Sequence, residues 1–240
     1  MDYLLRDSHH AGVAYGKFDY FRLIDTLRIL PREEGGSIEP ALGVEEGGLH
    51  SAEALLLARY FMYTQLYFHP VRRIYDHHLK DFLAEWLPSG RFSINIEDLL
   101  NITDNEVTSA MLKAARETHS LGHHAASSII NRQHFRVIYQ RNPEDIIKNL
   151  KAAEIVYDVL KERYGEGLVK FDTYKQKGSG PNFPVLVRDG RIISSLATSE
   201  TLKNLPVVAI DFVFISPEYR QEAQKWLESN LESIIRVKEV

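Results

Sequence analysis

Apolar positions along the chain follow two different periods, and the period changes in the second half of the sequence. Up to about residue 134, apolar side chains recur every three or four residues, as they do on one face of an α-helix. From residue 165 onward they alternate with polar ones or form short apolar runs, as in β-strands. The pattern predicts a mainly α fold with a smaller C-terminal α+β unit, divided into residues 1–134 and 135–240.

One segment of the helical part has the pattern of a β-hairpin instead. Residues 26–48 contain two extended runs around Gly35-Gly36, a dipeptide typical of tight turns. The strongest helical signal follows, from Ser51 as the predicted N-cap to Trp86. Pro70 interrupts this signal, and it either kinks one helix or is the first residue of a second one. The other helices predicted in this part are 1–10, 18–25, 104–117 with a possible capping box of Thr103 and Glu106, and 119–132.

The second part combines strands with two helices. One helix is predicted from Asn142 to about Tyr164, and another closes the chain at 216–235. Asp189-Gly190 is a hairpin turn signal between two apolar runs. The Gly-rich basic stretch 175–181 lacks the residue order of a phosphate-binding P-loop, so it predicts a hairpin loop. The predicted strands are 135–139, 168–174, the two strands of the 184–194 hairpin, and 207–215.

Composition narrows the class of protein. The 240 residues, 44% hydrophobic and 26% charged, suffice for one large or two small soluble domains. The absence of cysteine excludes disulfide scaffolds, cysteine zinc sites and thiol nucleophiles. The net charge of -4, without a block of Lys or Arg, argues against nucleic acid as a partner. With no apolar run of membrane-spanning length and no signal-peptide pattern, the sequence predicts a cytoplasmic protein with no membrane partner.

The first candidate constellation lies on the opening helix. Tyr3, Asp7 and His10 are spaced so that they share one face. An aromatic ring, a carboxylate acceptor and an imidazole suit a sugar, which offers a flat face and hydroxyl groups. The same spacing is also expected of an ordinary helix with solvated charges, and the pattern by itself leaves both interpretations open.

The second constellation is "HPVRRIYDHHL". His69, Arg72 or Arg73, and Asp76 lie on one helical face, with Tyr75 beside them. Guanidinium and imidazole groups at this density suit phosphate oxygens. A surface helix with i,i+4 ion pairs, Arg72 with Asp76 among them, explains the charges equally well.

Histidines are frequent, but their spacing does not favour a metal site. Adjacent pairs such as His77-His78 point about 100° apart on a helix, so both cannot readily bind one ion. His119 and His123 have the i,i+4 spacing of helical metal ligands, but no carboxylate accompanies them. We therefore expect ordinary buried or surface histidines here.

Two motifs resemble one family. "MDYLLRDSHHAGV" is similar to the segment that follows the last metal-binding Asp in HD-domain phosphohydrolases, above all those that hydrolyse deoxynucleoside triphosphates. The shared pattern is D-Y, R-D, H-H and G-[IV]. "RRIYDHH" resembles a downstream helix of the same enzymes, which carries R-R-x-Y. The resemblance covers residues 1–30 well and residues 50–85 fairly.

The resemblance implies roles for both constellations. Tyr3 would pack against a nucleotide sugar, and Asp7 would accept a hydrogen bond from its 3′-hydroxyl. Tyr75 would close the far side of the sugar and could exclude a 2′-hydroxyl. The arginines, with His69, would face phosphates, and Asp76 would also contact the sugar. The candidate substrate-binding residues are thus Tyr3, Asp7, His69, Arg72, Arg73, Tyr75 and Asp76, with Arg6 and His10 as further candidates.

The sequence departs from the family pattern at the metal site. The family holds its metal with an upstream His, a His-Asp pair and an Asp that stands two residues before the position of Met1, and this sequence has no His-Asp dipeptide. The resemblance therefore implies the C-terminal portion of a longer enzyme, an HD-domain-like helical part truncated at its N-terminus. A divalent metal (Mg, Mn, Fe or Zn) is expected only in the full-length enzyme. We expect this chain to bind no metal and to be inactive alone. The stretch "TQLYFHP" before R-R-x-Y also lacks the family's phosphate-binding arginine.

Two functions from different classes remain open at this point. The first is part of an HD-superfamily phosphohydrolase that acts on phosphate bonds of (deoxy)nucleotides, with this chain supplying the sugar and phosphate side of the site. The alternative is a non-catalytic nucleotide-binding or oligomerisation module that has lost the metal site. A nucleotide, as substrate or effector, is the expected partner in both cases. A homo-oligomer is also expected, with the apolar hairpin 26–44 as its contact.

Overall fold

A computed structural model describes residues 1–175 and 182–236, and in this part of the chain the fold is mainly helical with two small sheets. The predicted fold class is therefore confirmed. The predicted Gly-rich loop 175–181 lies, apart from Lys175, outside the described residues. No helix in the described ranges is long and apolar enough to cross a membrane.

The described chain contains α-helices of different lengths, with 3-10 turns at residues 46–48, 88–90, 166–168 and 217–219. Their bounds are α1 Asp2–Ala11, α2 Tyr20–Thr26, α3 Leu49–Met62, α4 Pro70–Trp86, α5 Ile96–Leu100, α6 Asp104–Arg116, α7 His123–Ile130, α8 Pro143–Lys148, α9 Ala152–Tyr164, α10 Ser195–Thr198, α11 Glu200–Lys203 and α12 Arg220–Ile235. The strands are β1 Leu27–Glu34, β2 Ser37–Glu45, β3 Arg136–Gln140, β4 Val169–Lys175, β5 Pro184–Leu186, β6 Ile192–Ser194 and β7 Ala209–Ile215.

The chain forms two compact units, each built from two separate stretches of sequence. The first unit comprises residues 1–68 and 174–209, and the second comprises residues 69–173 and the chain from 210 onward. These units differ from the predicted division between residues 134 and 135. As a statement about domains, that division stays a prediction.

The first unit contains a four-stranded sheet in the order β1-β2-β5-β6. The hairpin predicted at 26–48 is present as antiparallel β1 and β2, with Gly35 and Gly36 at positive φ in its turn. The β5–β6 hairpin, which the sequence places in the C-terminal α+β part, pairs with β2 through Val44 and Val185 instead. Gly43 permits this approach, because a Cβ atom there would lie 2.3 Å from the Pro184 carbonyl oxygen.

The second unit holds a three-stranded sheet in the order β3-β7-β4. Helices α9 and α12 pack on it around fully buried Val156, Leu160, Val213 and Ile215. At the other end of this unit, α4, α6 and α7 enclose Phe82 and several alanines. This second core holds the C-terminal half of α4, and the N-terminal half of the same helix carries the second predicted constellation.

Three helix boundaries differ from the prediction or decide between its alternatives. Ser51 is not the N-cap of α3, because residues 46–48 already form a turn that leads into the helix at Leu49. Pro70 begins a second helix, as one alternative predicts. The single helix predicted over 142–164 is wrong, since the Asn149 side chain accepts a hydrogen bond from the Lys151 amide and separates α8 from α9.

Candidate functional site

Helix α1 presents the first constellation along a half-buried face. Leu4 and Ser8 anchor the helix in the core of the first unit and are buried. Tyr3 and Asp7 lie at the margin of this buried face and are partly exposed, whereas His10 is exposed. The spacing thus places Tyr3 and Asp7 where a ligand could contact them, and it places His10 in solvent.

Asp7 is held by a tyrosine that the sequence reasoning missed. The Tyr67 hydroxyl donates a hydrogen bond to Asp7 Oδ2 at 2.6 Å. Burial, followed by the hydrogen bond to Asp7, raises the pKa of Tyr67 far above its usual range, so the phenol stays protonated and acts as the donor. The signal that could have indicated Tyr67 is the aromatic run "YFMYTQLYF", which we interpreted only as a buried helix.

A π-helical turn, Tyr63–Tyr67, presents this tyrosine. It closes with a bond from the Phe68 amide to the Tyr63 carbonyl oxygen at 2.8 Å, one residue wider than an α-helical bond. The rings of Tyr63 and Tyr67 pack edge to face with 5.1 Å between their centroids, and the ring centroids of Tyr67 and Tyr3 are 6.4 Å apart. Such turns are frequent at functional sites, because the extra residue re-aims the side chains.

Arg59 is the cation of this group. Its guanidinium carbon lies 5.1 Å from the centroid of the Tyr63 ring. Burial alone would lower the pKa of Arg59, but its contacts with Tyr63 and Tyr3 raise it, while burial and Tyr63 raise the pKa of Tyr3. The family pattern indicates an arginine only in the stretch directly before R-R-x-Y, whereas Arg59 stands earlier in the sequence, on α3. We call Tyr3, Asp7, Arg59, Tyr63 and Tyr67 the tyrosine cluster.

The two further candidates on α1 are engaged elsewhere. Arg6 forms an exposed ion pair with Asp2 on the same helix, and its Nε is 3.7 Å from Asp7 Oδ1. The ring of His10 packs edge to face against His9. Neither contact brings Arg6 or His10 into the aromatic part of the tyrosine cluster.

The basic constellation lies at the start of α4, in the second unit. Its contacts bear on both interpretations, a phosphate-binding face and a surface helix with ion pairs. Arg72 and Asp76 form the predicted i,i+4 ion pair, with 3.0 Å between Nη1 and Oδ2, and both are exposed. His69 is the N-cap of α4, where its Nδ1 accepts a hydrogen bond from the Val71 amide at 3.3 Å. An exposed pair of this kind contributes little to stability.

Arg73 has a different environment from Arg72. Its Nε donates to Asp172 Oδ2 at 2.6 Å, its Nη2 donates to the other carboxylate oxygen, and His77 Nε2 lies 3.3 Å from Asp172 Oδ1. Asp172 is 5% exposed. Burial alone would raise the pKa of Asp172, but the hydrogen bonds from Arg73 and His77 lower it to about 2. Of the two arginines that the sequence could not distinguish, Arg73 is therefore bound to a buried carboxylate and Arg72 is at the surface.

Tyr75 packs against a histidine of the same unit. Its ring contacts His134 edge to face, with 4.8 Å between centroids. His134, which precedes β3 in the sequence, is buried and contacts one side of the Tyr75 ring, while Tyr75 remains partly exposed. His69, Arg72, Arg73, Tyr75 and Asp76 thus lie at the start of α4. The structure adds Asp172 and His134, which the local sequence pattern does not indicate, and gives His77 a contact with Asp172.

A metal site does not emerge from the same residues. In the ranges 1–175 and 182–236, no group of three or more His, Cys, Asp or Glu side chains is arranged to hold a metal ion. The residues present therefore do not fit the divalent metal that HD-type hydrolysis implies.

Comparison with a family model gives a match over residues 18–161, more than half of the chain, and the family is described as the HD associated region. Two curated relatives are similar to parts of the chain. An uncharacterised protein of Methanocaldococcus jannaschii is 36% identical over 104 residues, which are 43% of this chain and 22% of that protein. The uncharacterised protein YwfO of Bacillus subtilis is 44% identical over 73 residues, which are 30% of this chain and 15% of that protein.

Solved structures are similar over nearly the whole chain. A hypothetical protein from Aquifex aeolicus superposes with a TM-score of 0.75 at 30% identity, over 94% of this chain and 56% of that one. A phosphohydrolase from Bacteroides thetaiotaomicron superposes with a TM-score of 0.62 at 22% identity, over 90% and 60%, and this likeness concerns the fold. The chain spans only part of the length of all these proteins. Both solved structures therefore share the fold of this chain.

Proposed function

The chain belongs to the HD associated region family, and from that premise we propose that it is part of a phosphohydrolase acting on phosphate bonds of (deoxy)nucleotides. In this proposal the chain supplies residues that bind the sugar and the phosphates. The relationship to HD-type phosphohydrolases supports the reaction class, and the tyrosine cluster and the basic face of α4 support the substrate class.

The hydrogen bond between Tyr67 and Asp7 carries the proposal. The protonated phenol occupies Asp7 Oδ2 at 2.6 Å and fixes the orientation of the carboxylate. Among the described residues, the group near Oδ1 is Arg6 Nε at 3.7 Å, beyond hydrogen-bond distance, so Oδ1 can accept from a ligand hydroxyl. The Tyr3 ring on the same helix face offers an apolar surface for a sugar. A fixed carboxylate acceptor beside aromatic rings is the arrangement that a ribose or deoxyribose requires.

The exposed face of α4 is suited to phosphate oxygens. Arg72 presents a planar fork of donors at the surface, and its present partner, Asp76, is exposed as well. Asp172 holds Arg73 in a single orientation, which reduces the entropy lost when a ligand binds beside it. Tyr75, whose ring packs against His134, adds a partly exposed aromatic surface to the same helix.

Hydrolysis itself requires groups that the described residues do not provide. We propose that the metal ligands belong to a part of the protein outside this chain, which would supply an activated water and polarise the phosphate. The residues of this chain then bind and orient the nucleotide. This division agrees with the observation that the chain spans 56% and 60% of the similar solved structures.

The test uses the complete protein and two variants of the tyrosine cluster. Asp7→Asn weakens the hydroxyl acceptor, and Tyr67→Phe removes the bond that orients it. We expect each variant to weaken binding of a deoxynucleoside triphosphate about tenfold, since a hydrogen bond to a charged group is worth roughly 1.5–3 kcal/mol. Isothermal titration calorimetry measures binding, and elemental analysis measures the metal.

Asp2→Asn is the matched control, because Asp2 is an exposed carboxylate on the same helix that pairs with Arg6. It should bind the nucleotide like the unmodified protein. Metal content should be unchanged in all three variants. Loss of metal in Asp7→Asn, or equal binding in Asp7→Asn and Asp2→Asn, would show that the proposed role of Asp7 is wrong.

One observation favours the alternative, a non-catalytic nucleotide-binding or oligomerisation module. The outer face of the β1–β2 hairpin exposes Ile29, Ile38 and Leu42, with Ile29 and Leu42 directly opposite each other in the register. Apolar side chains in such a row are typical of a contact between subunits. Tight nucleotide binding by the complete protein without turnover, in the presence of Mg²⁺ or Mn²⁺, would favour this alternative over the enzyme.

A further inference from the structure

A cavity of about 270 Å³ in the second unit has a cationic wall. It opens between the start of α4, strand β3 and the start of α12. Arg136 on β3 and Arg220 on α12 line it together with His134. The remaining lining is apolar or backbone: Pro70, Val71, Ile74, Phe135, Val137 and Phe214.

The two arginines have no acidic partner in the described chain. No Asp or Glu lines the cavity, and no carboxylate of residues 1–175 or 182–236 forms an ion pair with Arg136 or Arg220. Arg73 and Arg141 of the same unit, by contrast, pair with Asp172 and Asp211. In a chain whose net charge is -4, two arginines converging without an acid create a local positive potential that attracts anions.

His134 fixes the position of one of the two arginines. It is 6% exposed, and its Nε2 lies 2.7 Å from Arg136 Nη1, so the ring accepts a hydrogen bond from the guanidinium and orients it. Burial, followed by the charge of Arg136, lowers the pKa of His134, which keeps the ring neutral. With Nε2 as acceptor, Nδ1 carries the proton and is itself buried, and a backbone hydrogen bond with Arg132 partly offsets the lowering of the pKa.

We propose that this cavity binds a small phosphate-type oxyanion, with Arg136 and Arg220 donating to its oxygens and His134 orienting Arg136. Two guanidinium groups from different elements offer more donors than the two oxygens of a carboxylate can accept, which favours the tetrahedral phosphate group. The volume is just below the roughly 300 Å³ at which pockets begin to hold drug-sized ligands, so the ligand is inorganic phosphate or a small phosphomonoester. This inference rests on a different set of residues from the proposed nucleotide-binding function and stands independently of it.

The apolar part of the cavity lining distinguishes inorganic phosphate from a phosphomonoester as the ligand. Ile74 and Phe214 are fully buried and form part of the lining, and they would contact an apolar substituent of a phosphomonoester. Isothermal titration calorimetry of the full chain with inorganic phosphate and with phenyl phosphate, at constant ionic strength, measures both affinities. If a monoester is the ligand, phenyl phosphate binds more tightly than inorganic phosphate; if free phosphate is the ligand, the order is reversed.

Variants locate the binding. Arg136→Gln should weaken binding of the better probe at least about tenfold, since charge-assisted hydrogen bonds to phosphate are lost. Arg220→Gln should weaken it less, because Arg220 is exposed and its bonds compete with water. Arg116→Gln, an exposed arginine on α6 of the same unit, is the matched control and should bind like the unmodified chain.

A spectroscopic readout is independent of affinity. The ring nitrogen resonances of His134 should shift when the probe is added to the unmodified chain and to Arg116→Gln, but not in Arg136→Gln. Circular dichroism and the thermal midpoint establish that each variant is folded. If neither probe binds at millimolar concentration, or if binding is equally strong in Arg136→Gln, Arg220→Gln and Arg116→Gln, the proposal is overturned.

Discussion

Asp172 is the residue at which the structure most changes the interpretation of the sequence. It stands 99 residues from Arg73 along the chain, yet its carboxylate receives two hydrogen bonds from that guanidinium. Helical spacing relates residues up to about two turns apart, so it could indicate the Arg72–Asp76 pair but not a partner on a distant strand. The same limit hid Tyr67 and Asp7, which are 60 residues apart.

The depressed pKa of Asp172 has a consequence for stability. The pKa is about 2 in the fold against 3.8 for an unperturbed Asp, so the ionised carboxylate stabilises the fold above about pH 4 and this contribution is lost as the pH falls toward 2. Asp172→Asn should lower the free energy of unfolding by about 2 kcal/mol at neutral pH and by little at pH 2. Urea denaturation at both pH values measures this.

Asp76→Asn is the control for this prediction, because Asp76 pairs with Arg72 at the surface. We expect it to change the free energy of unfolding by less than about 1 kcal/mol at either pH. A loss in Asp172→Asn that is the same at neutral pH and at pH 2 would mean that the hydrogen-bonded charge is not its cause.

At the level of secondary-structure elements, the sequence predicts local units well and their partners poorly. Turn residues and caps are local, so the β1–β2 hairpin, the Asp189-Gly190 turn and the Thr103/Glu106 capping box are confirmed. The pairing of β2 with β5 is not local. It depends on the backbone approach at Gly43, which a period of apolar residues does not encode.

This approach gives a prediction for Gly43. In Gly43→Ala the new Cβ atom would lie 2.3 Å from the Pro184 carbonyl oxygen, so β5 must shift away from β2. We expect the free energy of unfolding to fall by roughly 1–3 kcal/mol, as in other overpacked sites. Gly167→Ala is the control, since a Cβ atom there meets nothing within 4 Å. Chemical denaturation compares the two variants, and equal stability would refute the close approach.

For the whole molecule, the period of apolar residues predicts the fold class, and the two motifs predict the relationship to HD-type phosphohydrolases. Neither predicts the compact units, because each unit combines two separate stretches of sequence. Residues 174–209 belong to the first unit and separate the two stretches of the second. Within the candidate site, the motifs place Tyr3, Asp7, Arg72 and Tyr75 on their helices. The partners of Asp7 and Tyr75, which are Tyr67 and His134, come from other segments and become visible only in the fold.

The proposed assembly is also a property of the whole molecule. Ile29 and Leu42 are opposite each other on the hairpin and are 70% and 57% exposed, and Ile38 on the same strand as Leu42 is 76% exposed. If this face contacts a second copy, the double variant Ile29→Thr, Leu42→Thr should shift the mass in solution toward the monomer, because burying these side chains stabilises the contact by roughly 1.5–3 kcal/mol each. Threonine also favours strands, so the hairpin should persist.

Ile94→Thr, at a 99% exposed position in the second unit, is the control and should leave the mass unchanged. Light scattering after size exclusion measures the mass, and an unchanged mass in the double variant would remove the hairpin from consideration as the contact between subunits.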